Sequence, residues 1–263
     1  MATSTPVLLW RLLTTVRNWP VYLLNRFGRC EGWPEVRLKF WNGLTMVGRP
    51  KSVDRCICNE EWLDRCYEPN QAGIPFDWTS AGTIVDIGGH IGGFTLYAAA
   101  HAPQARVIAY EPEPSNARML RRNVEVNGLQ ARITVEQKAV GGRAGTLNLH
   151  RSFTASGSGG HSVYDYSGKG EPVPVEMITL EQVFSANKID RCDFLKIDCE
   201  GTEYEMLYGL PRALFDRIGF IALEYHHFSK DPLHTPQQLQ KHLESVGFTV
   251  MEPSKSLFFA YRA

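Results

Sequence analysis

Past residue 82 the chain settles into an alternation of short apolar runs and helix-forming stretches, and this alternation restricts the fold more than any other feature. Apolar runs at 83–87, 106–110 and 133–137 are separated by an alanine-rich stretch at 92–101 and by a helical stretch at 115–127 that Gly128 closes. Runs at 192–197 and 220–223 continue the series, with helix-forming residues between them at 202–215. Helices placed between successive strands return the chain to the same end of the sheet, so the strands run parallel. The ending departs from this. A helical stretch at 235–246 precedes GFTVMEPSKSLFFAYR, two β runs around Pro253, Ser254 and Lys255 that are close enough to pair as an antiparallel hairpin. The expected fold is α/β, a doubly wound and mostly parallel sheet finished by a C-terminal antiparallel hairpin. A dinucleotide-binding domain of two equivalent halves would not end this way.

Residues 1–80 read differently. VRLKFWNGLTMV, at 36–47, gives two β runs joined at Asn42-Gly43, a dipeptide suited to the positive φ angles of a tight turn. A small N-terminal α/β extension at 1–80 is therefore expected to precede the sheet domain at 81–263. The first 28 residues are apolar but are interrupted by Arg11, Arg17, Arg26 and Pro20, with no basic stretch ahead of them. They read as an amphipathic helix rather than a signal peptide or a spanning helix, packed on its own domain or touching a membrane surface or a second copy of the chain. With 28 basic and 28 acidic side chains the net charge is zero, which removes any global attraction to nucleic acid. Cys30, Cys56, Cys58, Cys66, Cys192 and Cys199 show neither paired zinc spacing nor the density of a disulfide scaffold. They read as buried or partly buried thiols in a reducing, cytoplasmic setting.

After the first apolar run, VDIGGHIGGFTL sets Asp86, Gly88, Gly89, Gly92 and Gly93 at a strand-to-helix junction. Glycines there let the backbone approach a ligand and aim helix N–H groups at its anionic part. The dinucleotide fingerprint G-x-G-x-x-G fails in register, because its second glycine would have to stand at His90. Glu111 ends the next strand in VIAYEPEP, where a carboxylate accepts hydrogen bonds from ribose hydroxyls. Asp86, Glu111 and the terminal hairpin together favour S-adenosylmethionine over a nicotinamide dinucleotide, since a pyrophosphate would disfavour an acid behind the loop. His90 either contacts the cofactor's amino-acid end or hydrogen-bonds its own turn.

VDIGGHIGGFTLYAA, YEPEPSNARMLRRNVEVN, AVGGRAGTLNL, ITLEQVF, DFLKIDCEGTEYEMLYG and LEYHH together resemble the FkbM-type methyltransferases, over roughly 67–226. The resemblance implies a class I, Rossmann-like fold that uses S-adenosylmethionine to methylate hydroxyl groups of sugars, glycolipids or polyketide-type products. It implies that Asp86, Gly88 and Gly92 hold the methionine portion, Glu111 the ribose, and that Lys138 borders the adenine. The sequence departs from the family at His90, usually Asn there, and at Lys138, where many class I enzymes have an acid or amide.

In a parallel sheet ligands gather at the carboxyl ends of the strands, which puts Asp86, Glu111, Asp198, Glu200, Glu224 and His226 on one rim. Methyl transfer to oxygen requires alignment and removal of a proton. Asp198, Glu200 and His226 are the candidate bases, with Glu224 beside them and His227 adjoining. Asp198 ends an apolar run where an unpaired charge is costly; Glu203 and Glu205 are accounted for as helix-start carboxylates. Asp198, Glu200 and His226 are also the donors a Mg²⁺ ion would use. The Gly/Ser-rich segment at 155–172 is either a lid, bringing His161, Ser162 and Tyr164 to the acceptor, or a surface linker; Tyr67 is a further candidate acceptor contact. The expected function is an O-methyltransferase with a small-molecule or glycan acceptor. The alternatives are a nicotinamide oxidoreductase and a cofactor-binding module without turnover.

Overall fold

The computed structural model describes residues 5–150, 172–199, 201–226 and 231–262. Twelve strands are present among them: β1 (Val36–Lys39), β2 (Thr45–Gly48), β3 (Thr83–Ile87), β4 (Arg106–Tyr110), β5 (Ile133–Glu136), β6 (Ala139–Gly141), β7 (Gly145–His150), β8 (Pro172–Thr179), β9 (Cys192–Ile197), β10 (Ile218–Glu224), β11 (Thr249–Ser254) and β12 (Leu257–Tyr261). Seven form the central sheet in the order β11-β12-β10-β9-β3-β4-β5. From β10 to β5 all neighbours are parallel, while β12 pairs antiparallel with both β10 and β11. This is the mostly parallel sheet with a C-terminal antiparallel hairpin that the sequence alternation implies. The hairpin works by inserting its second strand between β10 and β11.

β3, β4, β9, β10 and β12 are buried on both faces, which explains why their sequences are nearly continuous apolar runs rather than alternating ones, while β5 and β11 at the sheet edges are more exposed. Ile84, Phe194 and Phe220 point into one core, whereas their neighbours Val85, Leu195 and Ile221 point into the other, as the two-residue period of a strand requires. The first core is shared with the N-terminal extension: Leu12, Val16, Phe40, Trp62 and Trp78 belong to the same cluster as Phe94 and Phe194. Trp78 stacks on Phe194 with centroids 4.9 Å apart, and buried Glu68 accepts from Tyr97 Oη at 2.6 Å and from Trp78 Nε1 at 3.0 Å.

Some local expectations shift. The helical stretch before β10 is two helices, Glu203–Tyr208 and Arg212–Phe215, separated at Pro211, whose ring ends the first and opens the second. The β1–β2 connection spans five residues, 40–44, and only Gly43 takes a positive φ, of 92°. β6, β7 and β8 form a separate three-stranded sheet that the periodicity does not announce. Helices Thr5–Thr15 and Trp19–Arg26 replace a single N-terminal helix; the first buries Leu12 and leaves Leu9, Trp10 and Leu13 outward. No helix among the described residues is long and apolar enough to cross a membrane. Cys56 is exposed, unlike the buried Cys30, Cys58 and Cys192.

Candidate active site

A cavity of about 510 Å³ opens at the carboxyl ends of β3, β4, β9 and β10, between the sheet and the segment at 53–67. Of the residues singled out in the sequence, Tyr67, Gly88, His90, Glu111, Lys138, Asp198 and Glu224 line it. Asp86, Gly92 and His226 do not. Glu200, His227, His161, Ser162, Tyr164 and the rest of the Gly/Ser-rich segment up to 171 lie outside the described residues, so the lid expectation does too.

Asp86 is fully buried behind the glycine loop, where Oδ2 accepts from Thr95 Oγ1 at 2.6 Å and Oδ1 lies 3.2 Å from Lys196 Nζ. It is a support for the loop and not a lining contact, because the strand register sets Lys196 of β9 directly across from it. Lys196 also donates to the Gly88 carbonyl at 2.7 Å and lies 3.8 Å from Asp198 Oδ2. Burial opposes its charge, but Asp86, Asp198 and Glu61 outweigh that and hold the ammonium above its ordinary range. Gly92 takes φ 92° as the N-cap of helix Gly93–His101 and acts through backbone shape alone. Gly88 is stricter: at φ 81°, a Cβ there would fall 1.7 Å from the Asp198 carbonyl oxygen.

Glu111 closes β4 with both oxygens engaged by backbone, Oε2 accepting from His90 N at 2.8 Å and Oε1 from Glu113 N at 2.9 Å. Burial pushes its carboxyl up to about 7, although those two N–H groups pull the other way. Each oxygen keeps a second lone pair for a ligand hydroxyl. His90 itself has φ 47°, a left-handed turn that aims its N–H at Glu111. Lys138 stands at the opposite side and pairs with Glu176 at 3.0 Å.

The most concentrated chemistry surrounds Tyr67. Its hydroxyl is 3.2 Å from Asp198 Oδ2 and 3.1 Å from Glu224 Oε2. Burial, then Asp198, raise the phenol well above its usual range, so it stays protonated. One hydroxyl has one hydrogen, so it donates to only one of the two carboxylates at a time. Glu224 is pushed up to about 7, chiefly by burial and then by Asp198, which lets it carry the second hydrogen near neutrality. The three groups thus form a short hydrogen-bonded chain, with Tyr67 between Asp198 and Glu224.

His226 is held away from the cavity by Glu203, whose fully buried Oε1 accepts from His226 N at 2.7 Å and lies 3.1 Å from Nδ1; Nε2 is 4.0 Å from Asp198 Oδ1. Glu203 therefore does more than start a helix, and Oε2 also accepts from Gly201 N. Sequence reasoning passes over Lys196 and Glu61, and it sets Glu203 aside as a helix-start carboxylate. Among the described residues no group of three His, Cys, Asp or Glu side chains is placed to hold a metal ion.

A model of the methyltransferase FkbM domain matches residues 86–250. The chain belongs to the FkbM methyltransferase family. Methyltransferase 1 of Beauveria bassiana is 30% identical over 213 residues, covering 74% of this chain and 80% of that protein. Methyltransferase sdnD of Sordaria araneosa is 28% identical, covering 74% and 82%. The 31-O-demethyl-FK506 methyltransferase FkbM of Streptomyces tacrolimicus is 26% identical, covering 84% and 92%. Among solved structures, a methyltransferase FkbM from Methylobacillus flagellatus aligns over 93% of this chain and 59% of that one, with 17% identity and a TM-score of 0.46. The segment at 53–67 that closes the cavity lies before the matched FkbM domain.

Proposed function

We propose that this FkbM-family methyltransferase uses S-adenosylmethionine to methylate a hydroxyl of a sugar, glycolipid or polyketide-type small molecule. The observation that carries the reading is the cavity's acidic lining: Glu60, Glu61, Glu111, Asp198 and Glu224 line it against Lys138 and Lys255, and burial raises four of these carboxyls so that they are ready to ionise when a cationic ligand arrives. A cavity so acidic favours a ligand with cationic groups and disfavours a pyrophosphate, which argues against the nicotinamide alternative. The residues fit the cofactor. Glu111 offers two lone pairs to a ribose diol, and Gly88 with its pinned carbonyl gives an amino-acid end close access to backbone. When bound, the sulfonium supplies a methyl group and leaves as a neutral thioether.

The protein's part is alignment and proton removal. Glu224 is the group suited to accept the acceptor's proton, because burial sets it near neutrality and the Tyr67 hydroxyl links it to Asp198. Tyr67 holds the two carboxylates in fixed relation and passes hydrogen between them. The Streptomyces relative is named for methylation of an O-demethyl compound, which supports a hydroxyl acceptor here. Calorimetry with S-adenosylhomocysteine and, separately, NAD tests the cofactor: heat with the former alone is expected, and heat with NAD alone would overturn the reading. A screen of hydroxylated acceptors with labelled S-adenosylmethionine tests the transfer.

A further inference from the structure

Glu61 is a carboxylate with no evident structural purpose. It sits in the π-helical segment Cys58–Asp64, laid across the start of helix Gly93–His101. The segment is fixed by Trp62, which stacks on Phe40 with centroids 3.9 Å apart and donates from Nε1 to the Gly93 carbonyl at 3.2 Å. This presses the Glu61 carboxylate onto the glycine loop so closely that a Cβ on Gly93 would lie 1.7 Å from Oε2. Glu61 lines the cavity together with Gly88, His90 and Asp198, yet Oε2 is buried without a hydrogen-bond partner among the described residues. An orphaned buried carboxylate oxygen is costly and calls for a ligand.

We propose that Glu61 is the residue that receives the positively charged amino group of the cofactor's amino-acid end, an assignment that rests on the S-adenosylmethionine reading above. Such a group supplies both the charge and the N–H donors that Oε2 lacks. Lys196 cannot supply them, because its own donors are directed at Gly88 and Asp86. The groups facing Glu61 are Lys196 from β9, Asp86 from β3, Asp198 beyond β9 and neighbouring Glu60, with Cys58, Cys66 and Tyr67 from its own segment held protonated by burial, so acids outnumber the one cation around it. Burial, despite Lys196, holds the empty Glu61 well above the usual carboxylate range. Arrival of an ammonium group reverses that balance, and Glu61 gives up its proton as the ligand binds.

Two ligands isolate the effect. S-adenosylhomocysteine carries the amino-acid end; 5′-methylthioadenosine carries the same nucleoside and thioether without it. Titration calorimetry of the full chain is expected to show Glu61→Gln weakening S-adenosylhomocysteine by about 10- to 100-fold, the effect of losing a charge-assisted hydrogen bond, with methylthioadenosine changed less than about twofold. The unsubstituted protein gives a second readout that needs no variant. Repeated in buffers of different ionisation enthalpy near neutral pH, S-adenosylhomocysteine binding should release more protons than methylthioadenosine binding. Equal losses for both ligands in Glu61→Gln, no loss for either, or equal proton release by both in the parent would overturn the assignment while leaving the cofactor reading intact. Failure of the parent to bind either ligand would overturn both.

Discussion

Replacing Lys196 by Met removes the one buried cation among the described residues, at nearly constant volume. Its ammonium is 1% exposed; it donates 2.7 Å to the Gly88 carbonyl and lies 3.2 Å from Asp86 and 3.8 Å from Asp198. The methionine leaves Asp86, itself 0% exposed, with Thr95 as its remaining partner. Breaking a buried pair from one side costs on the order of 3–5 kcal/mol, because the other charge stays buried. For a chain of this size each kcal/mol moves the midpoint by about 2–4 °C, so thermal unfolding followed by circular dichroism should fall by roughly 6–20 °C. Adding Asp86→Asn should recover about half of the loss or more, since the stranded charge is then gone, and the two substitutions will be far from additive. A Lys196→Met protein within about 1 kcal/mol of the parent, or one that Asp86→Asn destabilises further by its full single-mutant cost, would refute the account of Lys196 as the hub.

Glu224→Gln should lower methyl transfer by about 10²–10⁴-fold and erase the limb near pH 7 in the rate profile, whereas His226→Gln should stay within about tenfold of the parent; the pH dependence of kcat for both variants checks this. Glu111 has a folded value of about 7 against 4.5 when unperturbed, so the folded state binds its proton more tightly. Its contribution, on the order of 3 kcal/mol, is present in full below about pH 4.5 and is lost as pH rises to about 7. Denaturant unfolding of the ligand-free protein across that window should lose much of its slope in Glu111→Gln. Gly88→Ala meets both a left-handed φ and the Asp198 carbonyl, so a loss of at least about 1–3 kcal/mol and of S-adenosylhomocysteine binding is expected by thermal shift and calorimetry.

The sheet was legible because its signals are local. Runs such as TIVDI and DFLKI, each ended by glycine or polar residues, and a hairpin near Pro253 need no knowledge of distant contacts; the structure places the turn itself at Lys255 and Ser256, with Pro253 and Ser254 still in β11. Asp198 was legible for the same reason, since a carboxylate that ends a run buried on both faces needs a purpose. The three-stranded sheet was not, because β6 is only three residues long and β8 carries two prolines. Glu203 was hidden by its own plausibility: acids are common in the first turn of a helix, and only the return of β10 brings the His226 N–H to it. Glu61 differs in nothing visible from Glu60 within CNEEWLD, and its contact with Gly93 depends on how Trp62 docks.

Lys196 is the instructive case, because a signal for it was present. VDIGG and LKIDC both end an apolar run in one isoleucine before the polar turn, and aligning the two parallel strands on those isoleucines sets Asp86 opposite Lys196, as the register does. A cation and an anion at matching positions of adjacent, doubly buried strands have little choice but to pair. That pairing withdraws Asp86 from ligand contact and largely spends the charge of Lys196. The carboxylates of Glu61, Asp198 and Glu224 then face the cavity with less compensation than the sequence's zero net charge suggests. The same pair that stabilises the sheet thereby leaves the cavity's acidic lining short of a compensating cation, which suits the cationic methyl donor proposed above.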